Sequence, residues 1–251
     1  MKTVTIDQVT IGEGLPKIIV PIVGKTKEDL LDEAEKVHTL DCDLVEWRID
    51  FFEHVQDPQS VATLSHNLKA ILNKPLLITF RTKKEGGVCE LSDEEYFNLY
   101  KTIIAEGELD LLDVELFMPE KEVAETIELA HQNGIKIIMC NHDFDKTPEK
   151  NELVTRLRAM QDKGADICKI AVMPNNSADV LTLLAATREM YEEFAKVPLI
   201  TMSMGALGMV SRVSGQVFGS AATFGSAGTA SAPGQVPVVE LRKMLATLKL
   251  N

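Results

Sequence analysis

Short apolar runs rich in β-branched residues alternate along the chain with longer segments whose apolar residues recur at helical period. The runs cover residues 18–23, 44–49, 76–81, 111–117, 136–142, 167–172 and 199–204, with a weaker one at 223–226. Between them, segments such as 27–40, 58–72, 93–106 and 178–194 carry one apolar and one polar face, the mark of surface helices on a buried sheet. Helix-start signals precede several: Asp57-Pro58, Ser92 followed by Glu95, and Thr147-Pro148-Glu149. Strict strand–helix alternation predicts a parallel sheet, and eight units in this length predict one closed (β/α)₈ TIM barrel spanning residues 1–251 as a single α/β domain. An open doubly wound sheet would carry a phosphate-binding loop after its first strand. Val23-Gly24-Lys25-Thr26 resembles the end of one, but Ile19 stands where its first glycine is required. Looser alternation at Val4, Ile6, Val9 and Ile11 predicts a hairpin within residues 1–15 that closes the barrel bottom.

Residues two apart on a strand share a face, and a barrel strand is expected to be apolar on both. Several runs break that rule at their C-terminal ends. Glu46 shares a face with Arg48, opposite Trp47; Asp113 shares one with Glu115. Arg81 ends the third run, His142 the fifth, Lys169 lies in the sixth, and Met202 and Met204 share a face in the seventh. Against the surrounding helices such charges would be buried at high cost; pointing inward they meet at the barrel mouth, where active sites of this fold sit.

Net charge of −12 on 251 residues disfavours a phosphate backbone as ligand, so nucleic-acid binding is not expected. No apolar run approaches a membrane span and the N-terminus lacks a signal-peptide core. Cys42, Cys89, Cys140 and Cys168 show no zinc-ligand spacing and read as reduced residues of a cytoplasmic protein. His142, Asp143 and Cys140 have metal-ligand character but no third donor at a suitable spacing, so no metal is expected.

Lys169 is the sole charge among Ile167, Cys168, Ile170 and Ala171. Burial, with Arg48, Arg81 and His142 nearby, would disfavour its ammonium form and leave an amine able to form imines with carbonyls. His142, alone of the five histidines in ending a predicted strand, is the candidate general acid and base. These residues admit a lysine-imine enzyme, whether a dehydratase or an aldolase. The turn Gly225-Ser226-Ala227-Gly228 could hold the phosphate of an aldolase substrate; a third reading is a barrel that only binds a ligand.

Glu46-Trp47-Arg48, Phe80-Arg81-Thr82-Lys83-Lys84-Glu85-Gly86-Gly87, Asn141-His142-Asp143-Phe144, Lys169-Ile170-Ala171 and Ser231-Ala232-Pro233-Gly234-Gln235 resemble, in order, the type I 3-dehydroquinate dehydratases. The resemblance implies a usually dimeric (β/α)₈ barrel that converts 3-dehydroquinate to 3-dehydroshikimate without a cofactor. It implies that Lys169 forms an imine with the substrate ketone, that His142 moves the protons of a syn elimination, and that Glu85 orients His142. Arg212 would pair with the substrate carboxylate, while Glu46, Trp47, Arg48 and Arg81 would contact and order the ring hydroxyls. Met202 and Met204 would pack on the ring, with Ser231 and Gln235 arriving from a closing loop over 225–235. Pro21 departs from the serine frequent in the family and offers neither hydroxyl nor amide donor.

Overall fold

A computed structural model describes residues 2–228 and 233–250. The chain opens with an antiparallel hairpin, β1 (Val4–Ile6) against β2 (Val9–Ile11), turning through Asp7 at φ +51°. The barrel then runs β3 (Lys17–Ile22), α1 (Lys27–His38), β4 (Leu44–Arg48), α2 (Pro58–Leu72), β5 (Leu76–Thr79) and α3 (Asp93–Glu106). It continues with β6 (Leu111–Glu115), α4 (Glu120–Gln132), β7 (Lys136–Asp143), α5 (Lys150–Asp162), β8 (Ile167–Val172) and α6 (Ser177–Glu189). The last part is β9 (Leu199–Ser203), two short helices α7 (Met209–Val213) and α8 (Gly215–Phe218), β10 (Ala222–Ser226), β11 (Val236–Pro237) and α9 (Val238–Thr247).

Strands β10, β3, β4, β5, β6, β7, β8 and β9 pair in that order, all parallel, with β11 added beside β10. The ring closes through the residues leading into β10. Ser220 bridges Leu199, the Ala221 N–H donates to the Leu199 carbonyl at 2.7 Å, and the Thr201 N–H donates to Ser220 Oγ at 3.0 Å. This is the expected eight-stranded barrel.

Side chains alternate between two cores. Outward residues such as Val45, Trp47, Ile78, Val114, Met139 and Ile170 pack against the helices. Inward residues begin at the bottom with one apolar side chain from every strand: Ile19, Leu44, Leu77, Leu111, Ile138, Ile167, Ile200 and Ala222. Ile6 and Ile11 of the hairpin belong to this inner cluster, so the hairpin plugs the barrel as expected. The plug keeps water from the inner strands, where each fully buried aliphatic side chain contributes about 1.5–3 kcal/mol.

Two of the three helix-start signals are used as caps. Asp57 caps α2, and Ser92 with Glu95 forms a reciprocal capping box on α3. The signal at Thr147 is not used: α5 starts at Lys150 after Glu149, and the Thr147 hydroxyl donates instead to the Met173 carbonyl at 3.0 Å. The segment expected as one helix to residue 194 ends as α6 at Glu189 and continues into a π-helical turn, Met190–Phe194. The closing loop expected over 225–235 is shorter, because Gly225 and Ser226 belong to β10 and pair with Val236 and Pro237. That pairing removes the open turn on which phosphate binding would rest. Residues 229–232 lie outside the described residues.

Candidate active site

Above the apolar bottom, the inward faces turn polar. Register places Glu46 of β4, Asp113 of β6, Lys169 of β8 and Phe224 of β10 in one layer, each from an alternate strand, the layering this fold favours. Lys169 Nζ donates to Asp113 Oδ2 at 3.1 Å, lies 3.8 Å from Glu46 Oε1, and sits 4.8 Å from the Phe224 ring centroid. The sequence reading surrounded Lys169 with cations. Arg48, Arg81 and His142 do line the same cavity, but the nearest charges are carboxylates, because β4 and β6 present Glu46 and Asp113 at its level. The lysine charge is compensated rather than repelled.

Arg81 gives three of its five donors to its neighbours. Nη2 donates to Asp113 Oδ1 at 2.7 Å, while Nη1 donates to Glu115 Oε1 at 2.8 Å and Cys140 Sγ at 3.0 Å. Burial would push the Asp113 carboxyl up, but the positive charges of Arg81 and Lys169 outweigh it and hold the group at about 2. Arg48 forms a two-bonded fork with Asp50, both contacts 2.8 Å. Thr79 Oγ1 donates to Glu46 at 2.9 Å. These fixed pairs leave the layer rigid.

His142 ends the interior face of β7, opposite the 3-10 turn Lys83–Glu85 that follows β5. Its Nδ1 lies 2.9 Å from Glu85 Oε2, and its own main-chain N–H donates to the same oxygen at 2.9 Å. Asn141 Nδ2 donates to Glu85 Oε1 at 2.9 Å. With Nδ1–H assigned as the donor, Nε2 has no hydrogen-bond partner among the described residues and is left for the cavity. Burial, then the charges of Arg81, Lys169 and Arg48, hold the imidazole well below its usual titration range. It is therefore neutral at pH 7, the form a general base needs. Burial and the nearby Glu115 carboxylate push Glu85 up to about 8, against the pull of Arg81 and the hydrogen bonds from Asn141 and His142. Gly86 follows at φ +88°, and a side chain there would run into the Phe144 ring that stacks near His142. Glycine is required there by both backbone and space.

Arg212 reaches the cavity from α7, which is tied to β9 by Ser211 Oγ accepting from the Ser203 N–H at 2.9 Å. One Arg212 Nη2 bond goes to the Pro233 carbonyl at 2.9 Å, and Nε is buried with no partner among the described residues. Burial pulls this guanidinium down to about 10, still cationic at neutral pH. Nη1 touches the Met202 sulfur, at 3.7 Å, and the cation suits an anionic group.

The cavity, about 590 Å³ with its open mouth included, is lined by Glu46, Arg48, Arg81, Glu85, His142, Lys169, Met202, Met204, Arg212 and Gln235, ten of the residues selected from sequence. Trp47 is not among them. It is fully buried on the outward face of β4, edge-on to Phe52 at 5.8 Å, as strand alternation between Glu46 and Arg48 requires. Ser231 lies outside the described residues. Pro21 is buried in β3 and is not part of the lining. Asp113 and Phe224 join the site without having been selected. The alternation of Asp113 with Glu115 marked the first as inward-facing, but nothing in the chain marked Phe224.

Glu85, rather than Asp143, supplies the third donor beside Cys140 and His142, these three lying within 4.8 Å of one another. They fit a metal poorly. The Cys140 thiol donates to Asp113 at 2.9 Å, burial pushes it well above its usual range, and the Arg81 cation touches its sulfur. No described helix is long and apolar enough to cross a membrane.

The family model for type I 3-dehydroquinase matches residues 18–251. A 3-dehydroquinate dehydratase of Enterococcus faecalis is 58% identical, with 100% of each chain covered. The solved structure of 3-dehydroquinate dehydratase from that organism aligns with a TM-score of 0.94 at 54% identity, covering 98% of this chain and 100% of the other. The type I enzyme of Clostridium difficile, solved with covalently modified comenic acid, aligns at a TM-score of 0.96 and 48% identity, covering 99% of this chain and 98% of the other. The chain belongs to the type I 3-dehydroquinase family.

Proposed function

We infer that this chain is a 3-dehydroquinate dehydratase, a hydro-lyase of the shikimate route to aromatic amino acids. The observation that carries the mechanism is one cavity holding both the Lys169 amine and a neutral His142 fixed by Glu85. Lys169 Nζ bonds to the substrate C3 ketone carbon as the ketone oxygen leaves as water. The protonated imine draws electrons from C2, whose proton passes to His142 and leaves an enamine. The enamine electrons then expel the C1 hydroxyl, which takes the proton back from His142, a syn loss of water. Water hydrolyses the conjugated imine and frees Lys169. The chain's own lysine is the electron sink, so no cofactor is needed.

Arg212 is read as the carboxylate clamp because its guanidinium lines the cavity and its buried Nε has no partner among the described residues. Glu46 and Arg48 reach the ring hydroxyls, Met202 and Met204 its carbon face, and Gln235 closes from the chain leading into β11. Arg81 orders Asp113 and Glu115 and also lines the cavity, where its remaining donors reach the ring hydroxyls. We read residues 1–251 as one domain, because the hairpin and the last helix both pack on the barrel. Four free cysteines fit a reducing cytoplasm. Exposed Leu207, Met209, Val210, Val239 and Met244 lie on or beside the touching helices α7 and α9 and support a homodimer.

Incubation with 3-dehydroquinate should produce the absorbance of a conjugated enone carboxylate, and Lys169→Ala should produce none. Borohydride added with substrate should inactivate the protein with the adduct on Lys169. No absorbance change, or an adduct on another lysine, would overturn the reading.

A further inference from the structure

The atoms around Lys169 Nζ do more than hold a resting amine. Asp113 lies on one side at 3.1 Å, Glu46 at 3.8 Å, and the Phe224 ring at 4.8 Å presents its electron-rich face. All are nearly or fully buried, so the nitrogen sits in a cage built for a cation. Imine formation conserves that charge: an ammonium and a ketone give a protonated imine and water, with one positive charge on the nitrogen before and after.

We propose that Asp113, with the Phe224 ring opposing it, is the counter-ion of the protonated imine on Lys169 and so a catalytic residue of the reaction. The inference rests on the imine reading given above. Asp113 does not act as the base. Arg81 and Lys169 keep it ionised, and the proton acceptor of the cavity is His142. Nor does it quench the electron sink. The shorter contact of Asp113, 2.7 Å, is to Arg81, so its charge is shared and the imine stays electron-poor enough to acidify C2. Glu46 is the weaker partner because it is farther away and accepts a hydrogen bond from Thr79.

The test uses the intact protein, borohydride trapping and a ring carboxylate that has the hydroxyls of the substrate but no ketone. Asp113→Asn keeps the shape and the acceptor for Arg81 while removing the charge. It should lower the trapped fraction of Lys169 at saturating substrate by at least about tenfold, the effect of losing one buried charge-assisted contact. Binding of the ketone-free analogue should change less than about threefold, whereas a merely structural loss would weaken both. Phe224→Leu removes the ring face and no hydrogen bond, and should lower trapping by about three- to tenfold. It carries the test alone if Asp113→Asn does not fold. Normal trapping in the variants would overturn this inference, whereas no trapping in the parent protein would overturn the imine reading itself.

Discussion

Glu85 and His142 meet at 2.9 Å, and burial drives both toward their uncharged forms, the carboxyl upward and the imidazole downward. An imidazolium formed at His142 during turnover favours the ionised form of Glu85 beside it.

This pair makes stability depend on pH with a definite sign. Glu85 is raised from 4.5 to about 8, so the fold favours its protonated form. Its contribution is complete below pH 4.5 and is lost as the pH rises through about 8. Asp113 acts oppositely: lowered from 3.8 to about 2, it contributes above pH 3.8 and loses that contribution as the pH falls toward 2. His142, held well below 6.5, acts the other way and gains stability as the pH rises to about 6.5, so the two offset each other there. Melting temperature should decline from about pH 6.5 to about pH 8, and Glu85→Gln should flatten that decline. Thermal melts across this window check it; equal slopes in both proteins would refute the assignment.

His142→Ala should lower kcat by roughly 10²–10⁴-fold, the usual contribution of a positioned acid–base group. Borohydride should still label Lys169 in this variant, because amine addition proceeds slowly without His142. A loss under about tenfold would mean that another group moves the protons.

Arg212→Lys should raise KM by about ten- to a hundredfold with a smaller change in kcat. Lysine keeps the charge but loses the fork that binds a carboxylate through two parallel bonds. Steady-state kinetics separate the two parameters, and an unchanged KM would remove Arg212 from carboxylate binding.

Ile11→Ala should destabilise the fold by about 2–5 kcal/mol, because it empties a fully buried position in the barrel plug. The plug packs on the bottom layer of apolar side chains, beneath the layer that holds Lys169, so KM should be unchanged. Denaturant melts with parallel kinetics test both halves.

Saturating EDTA should leave turnover unchanged. Glu85, Cys140 and His142 are close enough to share an ion, but Arg81 already occupies the sulfur and a metal would remove the base. Activity that disappears with EDTA and returns with a divalent cation would refute the imine mechanism.

Much of this arrangement was legible along the chain because its causes are local. Strand period two told which of Glu46, Trp47 and Arg48 faces inward, and the same rule shows why Trp47, though inside the recognisable motif, packs against helices instead of substrate. Eight repeats of strand and helix implied the closed ring, and the ring implied that charges at strand ends converge. The partners of those charges were not legible. Lys169 and Asp113 are 56 residues apart, and barrel register alone sets them at one height. Apolar neighbours and strand-end cations suggest a lysine with its charge disfavoured; the stagger of strands β4, β6 and β8 supplies the carboxylates that compensate it. Arg81 likewise reads only as a substrate ligand, whereas the fold turns three of its five donors to Asp113, Glu115 and Cys140. Side-chain direction follows from neighbours in the chain, whereas charge pairing in a buried site follows from distances that only strand stagger sets.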